Sequence, residues 1–486
     1  MTERRNTPPA AAPEAAYYPR IINPVRFSRA VVFAGDEDVR AAAAELAENM
    51  PWTRVEVARG PASLARGDDE EAAVFLFDDT GLVVADVDRL RSRGGDTVVV
   101  LLSLNDDVHI SPPAVARERH PYTSRADLVF AADREDVPPR TIIGPAVRCA
   151  EDLLNIRSYS RERRFIFLIV DDEPRWFSQF LPALYGIIGQ RADVMIARTF
   201  EKALECLFGV DRPSAIDRRN LASRGRGDDI ICLITDLYFP RGDDPAGPAG
   251  RELVDLVQSA YPRIPIIVAS KDRSADDLRG RALILPKGDP GSLQILKDYI
   301  QDHTGMGDFV LAAADGRETF RLGDLARMDE FLAEAAEPSK RGARLREALD
   351  RSAERDAFST WFYMHGHARA AEILRPRQDR GLALVRELRR VIAAERALIR
   401  TTPFMIGGEP VFELPDLLEV LKRIETSRIQ ALSDNDVFSN WLEWKGFHGL
   451  AEELRPIHGS GERLRELLAG AVEKWIAFHR ETGPPG

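Results

Sequence analysis

Three carboxylates, a hydroxyl and an ammonium group follow apolar segments in the middle of this sequence. Asp171 and Asp172 come directly after one segment, Asp236 and Ser270 end two others, and Lys287 follows the last. If these segments are strands of one parallel sheet, their carboxyl ends meet at a single edge, where ligands bind. Crowded carboxylates repel one another, and the usual counter-ion for such oxygen ligands is a hard divalent cation such as Mg²⁺.

This set of groups suits phosphoryl transfer. An ammonium such as that of Lys287 and a hydroxyl such as that of Ser270 can contact phosphoryl oxygens. A central aspartate beside Mg²⁺ can attack phosphorus and form an aspartyl phosphate, with catalysis arising mostly from positioning and charge neutralisation. The chain contains only eight lysines, so a lysine at this point of the pattern is informative.

Apolar, β-branched segments alternate with helical stretches twice along the chain, which is typical of parallel sheets covered by helices. The predicted strands are residues 30–34, 54–58, 72–77, 97–104 and 127–131, and then residues 165–170, 192–197, 229–235, 264–269 and 282–285. After about residue 307 the chain becomes mostly helical. The predicted fold class is α/β, with two tandem doubly wound (βα)5 units followed by a mostly α-helical, duplicated C-terminal region.

The duplication is visible as two similar stretches at an offset of 80 residues, Asp356 to Trp361 and Asp436 to Trp441. The aromatic residues within them recur at helical spacing, which predicts core positions: Phe358, Trp361, Phe438 and Trp441. The predicted organisation is a disordered leader at 1–28, a first α/β unit at 29–138, a connector helix at 139–162, a second α/β unit at 163–305, and helical modules at 306–400 and 401–486.

Composition narrows the function classes. The chain has 486 residues and a formal net charge of −11, so we do not expect its whole surface to bind nucleic acid. No apolar stretch approaches the roughly 20 residues of a membrane-spanning helix. The first residues are polar and lack the apolar region of a secretory signal. We therefore expect a cytoplasmic protein that does not associate with membranes.

Over about residues 163–303 the sequence resembles the receiver domain of two-component response regulators. Its motifs are matched in order by the pair Asp171 and Asp172, the segment Asp236-x-x-x-Pro240, Ser270 and Lys287. The resemblance implies a flavodoxin-like receiver fold, Mg²⁺ as cofactor, and a sensor histidine kinase or phosphotransfer protein as partner. It implies no enzyme activity beyond self-phosphorylation and dephosphorylation of the receiver.

The resemblance also gives each residue a role. Asp236 is the expected phosphoacceptor, which takes a phosphoryl group from phosphohistidine. Ser270 is expected to follow the phosphoryl oxygen on activation, and Lys287 to pair with the phosphate. Gly288 departs from the family, which usually has proline there, and Ile284 stands where the family has its switch aromatic. The expected Mg²⁺ ligands are three carboxylates and one backbone carbonyl: Asp171, Asp172, Asp236 and Tyr238.

The first α/β unit resembles the same fold with its chemistry eroded. Acidic pairs follow two of its strands, at residues 36–37 and 78–79, but residues 1–201 contain no lysine. The ammonium that pairs with phosphate is therefore missing. We expect a pseudo-receiver that packs against other units or forms a homodimer.

The region after the receiver-like unit carries no helix-turn-helix, nucleotide-cyclase or kinase signature. We therefore expect no DNA binding, and output through contact of the helical modules with a protein partner of unknown identity. His365 and His367 have no second cluster of ligands near them in sequence, so a metal site there is not expected. The pairs Arg375-Pro376 and Arg455-Pro456 are interpreted as helix ends.

Two other functions compete with the response-regulator interpretation. One is a phosphorylation-independent scaffold or adaptor in which both receiver-like units are structural. The other is an enzyme of the haloacid-dehalogenase type, which also uses an aspartate nucleophile and Mg²⁺. That family has a second aspartate two residues after the nucleophile, where this chain has Tyr238. The sequence therefore favours the scaffold as the alternative.

Overall fold

The computed structural model of the chain describes residues 26–50, 53–58, 73–78, 84–91, 96–104, 125–132, 137–157, 165–217, 225–244, 247–271, 273–289, 291–312, 319–375 and 379–482. The predicted disordered leader at 1–28 lies almost entirely outside these residues. The last residues of the predicted connector, 158–162, also lie outside them, and so do two other residues named above, Asp79 and Pro376. Within the described part of the chain, no helix is both long and apolar enough to cross a membrane.

The first α/β unit contains a five-stranded parallel sheet of almost continuously apolar strands. Its strands are β1 Arg29–Phe33, β2 Arg54–Ala58, β3 Ala73–Asp78, β4 Thr97–Ser103 and β5 Leu128–Ala131. Its helices within the described residues are α1 Glu37–Asn49 and α2 Val84–Arg91, and helix α3 Pro139–Arg157 follows in the predicted connector. The strand order is β2-β1-β3-β4-β5, and every pairing is parallel.

The second α/β unit repeats this arrangement. Its strands are β6 Ile166–Val170, β7 Asp193–Ala197, β8 Ile230–Thr235, β9 Ile266–Ser270 and β10 Leu283–Pro286. Its helices are α4 Pro174–Ile188, α5 Phe200–Phe208, α6 Ala249–Ala260 and α7 Ser292–His303. The order β7-β6-β8-β9-β10 is again parallel throughout. Both sheets thus have the 2-1-3-4-5 order of the flavodoxin-like doubly wound fold, and the predicted α/β fold class is confirmed.

Helix α3 lies between the two α/β units and packs against both. It contacts α1 of the first unit and α4 and β7 of the second. Asp152 on this helix is buried and accepts hydrogen bonds from the Tyr185 hydroxyl at 2.6 Å and from the Val194 N–H at 2.9 Å. Apolar residues of both sheets belong to one continuous core around this helix, so the units form a packed pair.

The C-terminal region is mostly helical, as predicted, and contains two series of elements in the same order. The first series is β11 Phe309–Ala312, β12 Thr319–Leu322, α8 Leu325–Ala336, α9 Lys340–Glu354, α10 Ala357–Met364, α11 Ala368–Leu374 and α12 Gly381–Thr401. The second is β13 Phe404–Ile406, β14 Glu409–Val411, α13 Leu414–Arg423, α14 Thr426–Asp434, α15 Val437–Lys445, α16 His448–Leu454 and α17 Gly461–Thr482. In each series the two strands form an antiparallel hairpin.

Each series encloses its own core around a buried tryptophan, Trp361 in the first and Trp441 in the second. The predicted core positions Phe358 and Phe438 are buried as well. Both series also share an unusual backbone feature. Asp356 and Asp436, which precede α10 and α15, have φ values of 54° and 53°, in the left-handed region that aspartate tolerates better than most residues.

Candidate functional site

The five predicted side chains emerge at one edge of the second sheet because the strands that carry them are parallel and in register. Val170 of β6 pairs with Thr235 of β8, and the N–H of Asp236 donates to the Val170 carbonyl at 2.8 Å. Ser270 of β9 pairs with Pro286 of β10. The Ser270 carbonyl accepts a hydrogen bond at 3.2 Å from the N–H of Lys287, the residue after Pro286. The carboxyl ends of these strands therefore form a common edge.

Lys287 is the centre of this edge. Its Nζ lies 2.6 Å from Asp171 Oδ2 and 2.6 Å from Asp236 Oδ2, and only 4% of its side chain is exposed. The second oxygen of each carboxylate accepts a backbone N–H, from Glu173 at 2.9 Å and from Leu237 at 2.6 Å. Both carboxylates are thus oriented by the strand ends that carry them, and they converge on one ammonium group.

The charges of this cluster are strongly perturbed. Burial raises the pKa of Asp171 to about 6, even though the ammonium of Lys287 opposes the shift. Burial and the neighbouring Asp171 carboxylate raise the pKa of Asp172 to about 7. Burial alone would lower the pKa of Lys287, but the charges of Asp171 and Asp236 outweigh it and raise the pKa. The site therefore holds more negative charge than one ammonium neutralises.

These residues fit the oxygen-ligand set that Mg²⁺ prefers. Two carboxylates, of Asp171 and Asp236, already converge on a single cation, and the partly buried Asp172 follows directly in the chain. Asp171, Asp172 and Asp236 are the residues that would hold the metal ion. The role of the Tyr238 carbonyl stays a prediction.

The tyrosine side chain itself lies at the surface. The Tyr238 ring is 38% exposed, and its hydroxyl is hydrogen-bonded to Arg251 of α6, which also contacts Asp277 at 3.2 Å. Ser270, by contrast, is buried at the end of β9, in the strand beside the one that leads to Lys287. The five residues predicted as catalytic or metal-binding through their side chains therefore share one sheet edge, with Tyr238 in the loop after Asp236.

Sequence reasoning did not identify Trp176, whose indole ring lies beside this site. The indole N–H of Trp176 donates to the Glu173 carboxylate, and Lys271 lies 3.3 Å from the same carboxylate and 4.4 Å from the indole ring. Lys287 lies 5.7 Å from the centre of that ring. The sequence pattern around Trp176 is a weak indication of a functional role, because an acidic residue followed by proline and an aromatic residue also fits an ordinary helix start.

The backbone conformation explains why position 288, the predicted departure from the receiver motif, has glycine and not proline. Its φ is +81°, a value that proline cannot adopt because its ring holds φ near −65°. A Cβ at this position would lie 3.6 Å from the Trp176 ring. The loop after Lys287 therefore follows a different path from one built with proline, beside the tryptophan.

A glycine that sequence reasoning missed, Gly250, packs against the residue that follows β8, Asp236. A Cβ built on Gly250 would lie 2.2 Å from the Asp236 carbonyl oxygen and 2.7 Å from Leu237 Cα, closer than real contacts allow. The Gly250 N–H donates to the Leu237 carbonyl at 3.0 Å. The first turn of α6 thus packs directly against the backbone of Asp236 and Leu237, and only glycine fits there.

The equivalent edge of the first unit is organised differently. Asp78, at the end of β3, is fully buried and accepts a hydrogen bond from the Asp36 N–H at 2.8 Å. The Asp36 side chain caps α1 by accepting from the N–H groups of Asp38 and Val39. Both carboxylates therefore have structural hydrogen-bonding roles, and this unit has no lysine in its sequence.

No protein-family model matches this sequence, and no curated protein matches it. Among solved structures, the chain is similar to the C-terminal part of RcsC from E. coli, which contains a linker region and a phosphoreceiver domain. The identity is 13%, the TM-score is 0.20, and the match covers 56% of this chain and 92% of that one. A TM-score this low does not establish a common fold, so the fold class rests on strand order and register.

Proposed function

We propose that the second α/β unit is a receiver that accepts a phosphoryl group on Asp236 in two-component signalling. The observation that supports this most directly is the buried ammonium of Lys287, which lies 2.6 Å from both Asp171 and Asp236 at the carboxyl edge of a parallel sheet. A salt-bridged pair of structural residues does not require this crowding of acidic groups. A phosphoryl-acceptor site requires an acceptor, a cation-binding set and a fixed positive charge together.

The transfer step follows from the chemistry of the acceptor. An oxygen of the Asp236 carboxylate attacks phosphorus, the P–O bond to the aspartate forms, and the P–N bond of the donor phosphohistidine breaks. The imidazole of the donor takes up a proton as it leaves. When bound, Mg²⁺ would neutralise the negative charge that the phosphoryl oxygens bring to the site.

The protein's own contribution is positioning. The Leu237 N–H fixes one oxygen of the Asp236 carboxylate at 2.6 Å, so the other oxygen faces the Lys287 ammonium and the open edge of the sheet. Lys287 is already beside the position that the phosphoryl group would occupy, and its charge can pair with the new dianion without a long movement. Ser270, at the end of the adjacent strand β9, would supply a hydroxyl group to the phosphoryl oxygens.

We assign the first unit a structural role as a pseudo-receiver, because its edge carboxylates are used in hydrogen bonds and its sequence lacks lysine. Output would then come from the two helical modules through contact with another protein. A sensor histidine kinase or a phosphotransfer protein would supply the phosphoryl group. DNA binding is not part of the proposal.

A phosphorylation-independent scaffold is the second candidate, and one observation favours it. The turn that follows α4 is joined to the second helical module by partly buried ionic contacts that need no phosphate. Arg191 lies 3.5 Å from Glu452, which also contacts the buried Arg455 at 3.3 Å. A chain that is already held together in this way could present its helical modules constitutively.

Phosphoryl uptake distinguishes these two functions. The purified full-length chain is incubated with Mg²⁺ and acetyl phosphate, and its intact mass is measured beside that of Asp236→Asn. We expect the wild type to gain one phosphoryl group and Asp236→Asn to gain none. Asp243→Asn, which changes an exposed aspartate in the loop after the acceptor, is the matched control and should react like the wild type.

Two outcomes would contradict the proposal. Uptake of a phosphoryl group by Asp236→Asn would show that another residue is the acceptor. The absence of uptake in a wild-type chain that is folded and binds Mg²⁺ would favour the scaffold. In that case partners should bind the helical modules equally well whether or not acetyl phosphate is present.

A further inference from the structure

Two histidines and a glutamate meet where the two helical modules touch. His365 follows α10 of the first module, Glu443 lies on α15 of the second, and His448 begins α16. His365 Nε2 lies 3.2 Å from Glu443 Oε1, and His448 Nδ1 lies 2.8 Å from the same oxygen. One potential ligand atom from each residue falls within 4.8 Å of the others.

The two ring nitrogens of His365 face different groups. Its Nδ1 lies 3.0 Å from the Trp361 carbonyl oxygen, which can only accept a hydrogen bond, so Nδ1 carries a proton. A neutral imidazole then has a lone pair on Nε2, and that lone pair faces the carboxylate oxygen of Glu443. Two acceptors in contact repel each other unless a proton or a metal ion lies between them.

A metal ion would remove this conflict. Ligand atoms about 2.0–2.2 Å from a tetrahedral zinc ion lie roughly 3.3–3.6 Å from one another. The two histidine nitrogens lie 3.2 and 2.8 Å from the Glu443 oxygen, so a small outward shift of these side chains would admit the ion. Two imidazole nitrogens and one carboxylate oxygen are ligands typical of Zn²⁺ and other first-row divalent ions, and not of Mg²⁺. The set differs in this respect from the all-oxygen site of the second α/β unit.

Two members of the cluster, His365 and Glu443, have outer contacts of the kind that orient metal ligands. A ligating histidine usually donates its other N–H to a carbonyl or carboxylate, which fixes the ring. His365 does so to the Trp361 carbonyl, and its ring stacks on the Trp361 indole with the centres 4.1 Å apart. The other oxygen of Glu443 lies 3.4 Å from Nη2 of the buried Arg455, which leaves Oε1 directed at the histidines.

The three residues of the cluster are not among the residues that the two modules have in common. At the offset of 80 residues, Glu443 corresponds to Tyr363, His365 to Lys445, and His448 to Ala368. Each ligand position is therefore occupied by a residue of a different type in the other module. The three differing positions nevertheless come together in space, one from the first module and two from the second.

We propose that His365, Glu443 and His448 bind one first-row divalent transition-metal ion, with Zn²⁺ as the representative, and that this ion joins the two helical modules. His365 and Glu443 are buried, whereas 29% of the His448 side chain is exposed, so the ion enters from the side of His448. The ion links the modules directly, because one ligand comes from the first and two from the second.

Zinc binding to the full-length chain tests the proposal. The protein is stripped with a chelator, returned to buffer with excess Mg²⁺, and titrated with ZnCl₂ by calorimetry, with bound metal counted by mass spectrometry. We expect one zinc per chain. We expect His448→Ala, which introduces the residue of the first module, to bind at least about 100-fold more weakly, since loss of a second-shell partner alone costs 10- to 100-fold.

Controls separate this site from others in the chain. His303→Gln removes an exposed histidine outside the cluster and should leave zinc affinity unchanged. Asp236→Asn should do the same, which keeps the result independent of the proposed receiver chemistry. His448→Gln is the second variant if His448→Ala does not fold, as judged by circular dichroism. Absence of tight zinc binding by the folded wild type, or equal binding by the His448 variants, would overturn the proposal.

Discussion

The carboxylate of Asp436 accepts a hydrogen bond from the backbone N–H of Gln190 at 2.7 Å. This contact joins the second helical module to the turn that ends α4 of the second α/β unit. The same carboxylate lies 3.6 Å from Nη1 of Arg455, and both side chains are almost completely buried. A single residue with left-handed backbone thus connects the candidate receiver to the modules proposed to carry its output.

Asp436 is therefore expected to contribute strongly to stability. Asp436→Ala removes the acceptor for Gln190, leaves Arg455 with less compensating charge, and places alanine at a φ of 53°. Breaking a buried ionic contact in this way typically costs about 3–5 kcal/mol. Asp436→Asn keeps an oxygen acceptor and tolerates the backbone, so its loss should be smaller. Calorimetric unfolding of both variants checks this order, and equal midpoints for them would contradict it.

Gly189 lies at the same interface. Its φ is +52°, and a Cβ there would lie 2.5 Å from Asp436 Oδ2 and 2.7 Å from Arg455 Cδ. Gly189→Ala should lower the unfolding midpoint because it adds backbone strain and displaces both charged groups. Gly186→Ala is the matched control. A Cβ at Gly186, an exposed residue in the last turn of α4, meets nothing within 4 Å, so this change should be neutral or stabilising by up to about 1 kcal/mol.

Gly250 offers a comparable test inside the candidate site. Gly250→Ala forces the first turn of α6 away from the Asp236 carbonyl, which a Cβ would approach to 2.2 Å. The acceptor loop would move with it, so we expect the rate of phosphoryl uptake from acetyl phosphate to fall at least about tenfold. Gly186→Ala again serves as control. An unchanged rate in a folded Gly250→Ala chain would show that loop position does not limit the reaction.

Much of this fold was predictable because parallel strands buried on both faces are almost continuously apolar. The predicted strand at residues 54–58 is observed with the same bounds, as β2, and the one at 264–269 is shifted by up to two residues, as β9 Ile266–Ser270. The edge positions of Asp171, Asp236 and Lys287 followed from the strand ends. The contacts among these side chains could not be predicted in the same way. Which carboxylates the Lys287 ammonium contacts depends on side-chain packing, and residue spacing does not determine that packing.

Contacts between distant segments were the main limit of the sequence reasoning. Arg455 was interpreted as a helix end, and it does follow the last residue of α16, but its burial among Asp436, Glu443 and Glu452 could not be foreseen. The sequence predicts no metal site at His365, because no second cluster of ligands lies near it in sequence. Its neighbours in space come from the other module, and pairing modules requires the tertiary structure.

If Mg²⁺ binds at this edge as proposed, it and the Lys287 ammonium would compete for the same carboxylates. Lys287→Met removes the ammonium from between Asp171 and Asp236, so we expect Mg²⁺ to bind at least about tenfold more tightly. Without Mg²⁺ the variant should lose about 3–5 kcal/mol of stability, because two buried carboxylates lose their partner. Calorimetric Mg²⁺ titration and thermal unfolding measure the two effects.

Lys271→Met is the control for this prediction. Lys271 is an exposed neighbour that contacts Glu173 and the Trp176 ring, so its removal should change Mg²⁺ affinity much less. Weaker Mg²⁺ binding by Lys287→Met than by Lys271→Met would mean that the ammonium positions the carboxylates for the metal and does not compete with it.

Glu151 should make the chain less stable as pH rises. It is buried on α3, where its Oε1 accepts the Phe27 N–H at 3.0 Å. Burial raises its pKa from 4.5 to about 7, although the charge of Arg26 opposes the shift. A carboxyl whose pKa is higher in the folded chain holds its proton more tightly there. The stability it contributes is therefore complete below pH 4.5 and is lost as the pH rises through about 7.

Glu151→Gln isolates this effect, because glutamine keeps the acceptor oxygen but cannot ionise. The variant should be more stable than the wild type at pH 8, by up to roughly 3 kcal/mol, and the difference should vanish near pH 4.5. Thermal unfolding across this pH range measures it, with Glu45→Gln on the exposed face of α1 as control. A pH-independent difference would mean that Glu151 is ionised in the folded chain throughout the range, held in that state by Arg26.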